Sequence, residues 1–174
     1  MIRWSLSRLA GAWWLALAIM LLVAGSPVSA QTVGETVSVL GKAEVMRDGR
    51  WQELNPGGML EAGEVVQTGD GSRLAIQLAD GPQIKLNANS RLELKDKGGI
   101  APVSTSVVQI ILRLIKGEIH GKTDRGSLLE IRTMPATAII RGTEFNLAVD
   151  RPDSARLAVL EGLVEFANPQ GSVR

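Results

Sequence analysis

The chain of 174 residues has no cysteine and no tyrosine, one histidine and two phenylalanines. Each shortage removes a class of chemistry. Without cysteine there is no disulfide, no thiolate nucleophile or metal ligand, and no lipid on an N-terminal cysteine. Zinc normally draws three or more ligands from histidine, cysteine and carboxylates, and His120 is the one soft ligand on offer. A hydrolytic triad would also have to use His120. Ser127 and Asp124 are near it in sequence, but nearness in sequence is not triad geometry, and a packing role is expected. Flat rings for stacking sugars or single-stranded nucleic acid are scarce too: beyond residue 30 only Trp51, Phe145 and Phe166 remain.

Charge of one sign is also lacking. The chain has 19 basic and 18 acidic residues in no single-sign block, so nothing marks a nucleic-acid partner. Outside the first thirty residues the most apolar stretch is Val107 to Ile115. Gln109 and Arg113 interrupt it, and it is far short of the roughly 20 residues of a membrane-spanning helix.

What the chain does have begins at its N-terminus. Arg3 and Arg8 form a positive region, Ala12 to Ala24 is apolar, and Val28-Ser29-Ala30 has the small-x-small pattern of a signal peptidase site. The competing reading is a retained anchor, for which the apolar run is short. A cleavable signal peptide over 1–30 is therefore expected, followed by one domain over 31–174. Removing Arg3 and Arg8 leaves that domain near charge −1. It is long enough to bury roughly two thirds of its unfolded surface without a metal or staple. Its location would be the periplasm or outside the cell, with no stable membrane insertion after cleavage.

The body alternates with period two. Leu74, Ile76 and Leu78 oppose Arg73, Ala75 and Gln77; Ile84 and Leu86, then Leu92 and Leu94, repeat the pattern. Val108, Ile110, Leu112 and Leu114 make the strongest run, followed by Leu129 and Ile131, Phe145 to Val149, Leu157 and Val159, and Val164 and Phe166. Between them stand Asp48-Gly49, Asp70-Gly71, Asp80-Gly81, Gly98-Gly99, Lys116-Gly117, Arg125-Gly126 and Glu161-Gly162, read as reversals or corners. Asp80-Gly81 is the most hairpin-like. A short helical turn in 133–141 is opposed by Pro135, Ile139 and Ile140. The expected fold is all-β: a short β-solenoid or a twisted β-sandwich of about ten or more short strands. Gly117-Glu118-Ile119 and Gly162-Leu163-Val164, each after an apolar strand, mark two equivalent corners or a coincidence in a glycine-rich chain.

Candidate chemistry is thin. Glu130, Glu144 and Glu165 each sit beside an apolar alternate, as on a solvated sheet face, so a glycosidase-type pair among these and Glu161 is not expected. Asp48, Asp70 and Asp80 precede glycines, and Asp150 and Asp153 flank Pro152, which suits turns better than calcium. Gly57-Gly58 with Gly63 lacks the lysine of a phosphate loop. No metal and no cofactor is expected. Arg141-Gly142-Thr143-Glu144 packs polar residues around a glycine between apolar segments. Arg141 could anchor an anion or peptide, or tie a corner to backbone carbonyls or a carboxylate, the latter being favoured.

Three segments together resemble the FecR-type periplasmic domain. Leu60 to Thr68, LEAGEVVQT, follows Trp51 and Leu54. Gly71 to Leu94 reads GSRLAIQLADGPQIKLNANSRLEL. Leu114 to Phe166 runs from LIKGEI through IRTMPATAIIRGTEFNLAV to LAVLEGLVEF, with Arg141-Gly142-Thr143-Glu144-Phe145 as its most specific element. Met134 departs from the family's usual Thr-Pro at that point. The resemblance implies the sensing half of an envelope protein, without the sigma-binding region and membrane helix of the family's iron-uptake regulators. It leads to the expectation of a non-catalytic exported domain binding a protein or cell-envelope partner, with Arg141, Gly142, Thr143, Glu144 and Trp51 as contact or corner residues. An edge strand could take an extended peptide. The alternatives are a sensor component of a signal-transduction or iron-uptake system, and a structural spacer or assembly subunit; oligomeric state is open.

Overall fold

A computed structural model describes residues 31–79, 81–95, 109–124 and 126–173. The leader, Gly98-Gly99, Asp80 and Arg125 lie outside the described residues. Thirteen strands follow in order: β1 (Thr32–Leu40), β2 (Ala43–Arg47), β3 (Arg50–Glu53), β4 (Met59–Glu61), β5 (Val65–Thr68), β6 (Arg73–Leu78), β7 (Gln83–Leu86), β8 (Arg91–Lys95), β9 (Gln109–Lys122), β10 (Leu128–Arg132), β11 (Thr137–Arg151), β12 (Ser154–Asn168) and β13 (Gly171–Val173). The all-β expectation holds, with all strands joined in one open sheet. Of the pairings described, β9–β10 is parallel and the others are antiparallel. Stacked solenoid coils would pair in parallel throughout, so the twisted, folded-over sheet is the better description.

The long strand β9 is the spine. Its first half pairs with β10 on one side and β8 on the other. Its second half pairs with β11 and β7. Two branches leave it: β8–β5–β2–β3 from the first half and β7–β6–β1–β4 from the second. Side chains from both meet β9 in one hydrophobic cluster that includes Val45, Val66 and Leu92 from the first branch, Leu74, Ile76 and Ile84 from the second, and Leu112 and Ile119 of β9 itself. Phe145 of β11 is fully buried in the same cluster.

Two of the glycines expected at reversals or corners, together with Gly142, form bulges within long strands. Lys116-Gly117 lies inside β9, Gly142 inside β11, and Glu161-Gly162 inside β12. All three glycines have positive φ, at 88°, 60° and 98°. The buried residues change parity across each one: Leu112 and Leu114 then Ile119; Ala138 and Ile140 then Phe145, Leu147 and Val149; Leu157, half-buried, then Val164. One extra residue accounts for such a flip, because side chains alternate faces with period two. The bulges let β9 and β11 change neighbours partway along, so three strands of 14–15 residues replace the shorter runs expected.

A two-residue hairpin falls at Asp48-Gly49, where both residues have positive φ (49° and 74°) and Arg47 pairs with Arg50, the backbone required by a type I′ turn. β6 and β7 also pair antiparallel across 79–82, although Asp80 itself is outside the described residues. No helix forms in 133–141. Thr133 closes a tight turn onto Ala136, its N–H donating to the Ala136 carbonyl at 2.8 Å, and β11 starts at Thr137.

Candidate functional site

The Arg141–Glu144 segment is held by the bulge at Gly142. Register slips there, with Arg141 opposite Leu163 and Glu144 opposite Glu161. Thr143 is buried and locks the bulge from both sides. Its N–H donates to Thr123 Oγ1 at 3.0 Å, its carbonyl accepts the Thr123 N–H at 2.9 Å, and its hydroxyl donates to the Arg141 carbonyl at 2.9 Å. Gly162 packs against this turn so closely that a Cβ there would sit 2.3 Å from the Gly142 carbonyl oxygen. Gly142 and Thr143 are thus corner residues in the structure, and they fix the backbone that carries Arg141 and Glu144.

Arg141 itself is exposed. On its face of the sheet, Leu128 of β10 lies directly opposite and Ile139 precedes it by two residues, 38% exposed. Arg141 thus stands on a strand fixed by the Thr143 contacts, beside the apolar residues Leu128 and Ile139. Glu144 faces β9, with Oε1 3.6 Å from His120 Nε2 and Oε2 3.7 Å from Lys122 Nζ. His120 therefore sits in a half-exposed surface row beside Glu144, as a structural residue would. Among the described residues no group of three or more histidines and carboxylates could hold a metal ion.

Trp51 occupies a different place. It lies on the edge strand β3, opposite Met46, with the Arg91 guanidinium over its ring at 5.4 Å. That contact ends a surface chain crossing β8, β5 and β2: Arg91 Nη2 donates to Gln67 Oε1 at 2.7 Å, Gln67 Nε2 donates to Glu44 Oε2 at 3.0 Å, and Lys42 Nζ lies 2.9 Å from Glu44 Oε1. The Lys42 ammonium, helped by the Gln67 amide, holds the Glu44 carboxyl below its ordinary value of 4.5. Six strand steps separate β3 from β11 through β2, β5, β8, β9 and β10, or about 29 Å along the sheet at roughly 4.8 Å per step. Trp51 and Arg141 thus stand on strands that are not neighbours in the sheet.

A polar corner escaped the sequence reading. Ser90 is fully buried, and its hydroxyl accepts the Glu118 N–H at 2.9 Å. Gly117 presses on it, so that a Cβ would come within 2.3 Å of Ser90 Oγ. Gly162 against Thr143 and Gly41 against Ser72 repeat the arrangement, with the Lys42 N–H bonding to Ser72 Oγ at 2.9 Å. Gly117 and Gly162 thus each pack tightly against a neighbouring segment, Gly117 on Ser90 and Gly162 on the Gly142 carbonyl and Thr143.

The FecR protein family model matches residues 64–165, and the chain belongs to the FecR family. That span contains β5 to β11 and most of β12, including Arg141, Thr143 and both bulged glycines packed on Ser90 and Thr143. No curated protein matches. Two crystal structures of a protein from Parabacteroides distasonis, provisionally assigned as an anti-sigma factor, share the fold at 21% identity and a TM-score of 0.50. The alignment covers 63% of this chain and 49% of theirs, so the chain spans about half the length of those proteins. FecR-family domains are non-catalytic, and this one is placed with them in the periplasm or outside the cell.

Proposed function

We propose that this domain acts after export by binding a protein or cell-envelope partner through the outward face around Arg141. The observation that carries the reading is the Thr143 lock: its buried hydroxyl donates to the Arg141 carbonyl, its N–H donates to the Thr123 hydroxyl and its carbonyl accepts the Thr123 N–H, which together fix the strand on which Arg141 stands exposed. Pre-organised backbone lowers the cost of ordering a contact surface on binding. Leu128 and Ile139 supply apolar neighbours and the guanidinium supplies direction. Trp51, with Arg91 stacked on it, is a second and separate contact surface on the β3 edge.

Cleavage after Ala30 belongs to the same proposal, and it predicts an exported chain starting at Gln31, measurable as intact mass. A retained Met1 would contradict it. The test of binding is crosslinking of the tagged chain in cells, followed by mass spectrometry of captured envelope proteins, with Arg141→Ala as control. Recovery of a defined envelope protein that weakens in Arg141→Ala supports the proposal; equal recovery with both proteins counts against the Arg141 face. Capture of a membrane regulator or receptor would make the domain a sensor component of a signalling or iron-uptake system. Family membership and the fold shared with the Parabacteroides protein favour that second reading.

A further inference from the structure

We propose that two copies of this chain join edge to edge along β12, antiparallel, about a two-fold axis passing through Ala158. The inference is independent of the foreign partner proposed above.

β12 carries the longest unpaired edge described. Of its fifteen residues only Phe166, Ala167 and Asn168 pair with β13, and from Ser154 to Glu165 no described strand lies on its outer side. The edges at β3 and β4 are four and three residues long. Proteins usually blunt long edges with charge, bulges or short strands, because free N–H and C=O groups invite another strand. Here the stretch from Arg156 to Leu160 has one charge, and Val159 and Leu160 are 45% and 65% exposed. The bulge lies at one end of that stretch and leaves Ala155 to Val159 in regular register with β11.

The charges suit a second copy. A strand pairs antiparallel with its own copy around a two-fold axis normal to the sheet, which keeps outward residues on one side and sets like face against like face. Register with β11 defines the outward set of β12: Arg156 opposite Ala148, Ala158 opposite Asn146, and Glu161 opposite Glu144, with Leu160 as the extra residue. An axis through Ala158 places this small side chain against itself and Leu157 against Val159 of the partner copy. It also sets Arg156 of each copy beside the Leu160-Glu161 bulge of the other, giving two opposite-charge pairs. An axis at Arg156 would oppose two arginines, and one at Glu161 two glutamates, both unfavourable across strands. The Arg156 side chain is 72% exposed and, although it already meets Asp150, it has donors for a second carboxylate.

The chain is free of cysteine, which permits a direct test on the exported protein. Opposite residues in an antiparallel ladder have Cα atoms about 4.5–5.5 Å apart, within disulfide reach. Ala158→Cys should therefore give a covalent dimer on mild oxidation, while Ser172→Cys on β13 stays monomeric. In sedimentation equilibrium the unmodified chain should be dimeric at high concentration. Arg156→Glu should weaken the dimer about tenfold, and adding Glu161→Arg should restore it. A monomer at every concentration, with Ala158→Cys no more crosslinked than Ser172→Cys, would overturn the inference. So would a dimer that forms without crosslinking at Ala158, or a monomer whose β12 edge takes only a foreign strand. A monomer that still crosslinks an envelope protein through Arg141 would defeat this inference and leave the proposed function standing.

Discussion

Ser90 and Glu118 are 28 residues apart, yet the Ser90 hydroxyl accepts the Glu118 N–H at 2.9 Å and lies 3.1 Å from the Glu118 carbonyl oxygen. One buried side chain thus serves both backbone groups of the residue after the β9 bulge, where a regular ladder is interrupted. The Glu118 carbonyl also accepts the Asn87 N–H at 2.9 Å; an unpaired buried N–H costs about 1–3 kcal/mol, so for the Glu118 N–H the Ser90 hydroxyl makes the bend in β9 tolerable. Gly117 completes the corner by having no Cβ to collide with Ser90.

Gly117→Ala is expected to destabilise the domain by about 3 kcal/mol, combining strain at positive φ with overpacking against Ser90. Gly63→Ala is the control: it also has positive φ, but nothing lies within 4 Å of its Cβ, and about 1 kcal/mol is expected. Urea unfolding of both variants checks the order.

Glu64 and Arg47 tie β2 to the segment before β5. Glu64 is buried at 7% exposure, accepts the Glu61 N–H at 2.9 Å and pairs with the Arg47 guanidinium, which also reaches the Met59 carbonyl. Glu64→Ala leaves the Glu61 N–H without its acceptor and removes the carboxylate from Arg47, and should cost about 2 kcal/mol, less than a fully buried pair because Arg47 is partly solvated. Glu64→Gln keeps an acceptor for Glu61 and should cost less. The same unfolding measurement separates them.

Glu44 provides a pH test. Its folded carboxyl is held below 4.5 by Lys42 and Gln67, so its contribution is complete above that value and fades as pH falls through the folded pKa. NMR titration should place the Glu44 midpoint below 4.5, and Lys42→Met should raise it toward that value. An unchanged midpoint in Lys42→Met would contradict the assignment of Lys42 as the main cause.

Much of the fold is written in local pattern. Alternation locates the strands, and even the bulges leave a mark in the parity change from Leu114 to Ile119 and from Ile140 to Phe145. Reading Gly117 and Gly162 as reversals or corners marked the positions but not the bulges, since a glycine at positive φ serves a bulge as readily as a turn. The corner partners were not legible. Ser90 is polar and unremarkable in sequence, and only the pairing of β8 with β9 brings it under Gly117. The candidate contacts were legible as residue types but not as places: Arg141 and Trp51 stand on opposite arms of the sheet because β9 and β10 separate their strands.

Contact between the Arg141 face and a partner after export is what the proposed role of the domain rests on. The most direct measurement places a photo-crosslinkable residue at position 141 in cells, with position 172 on β13 as control. The account predicts a discrete adduct to one envelope protein from position 141 and none from position 172. No adduct from 141, or the same adducts from both positions, would contradict it.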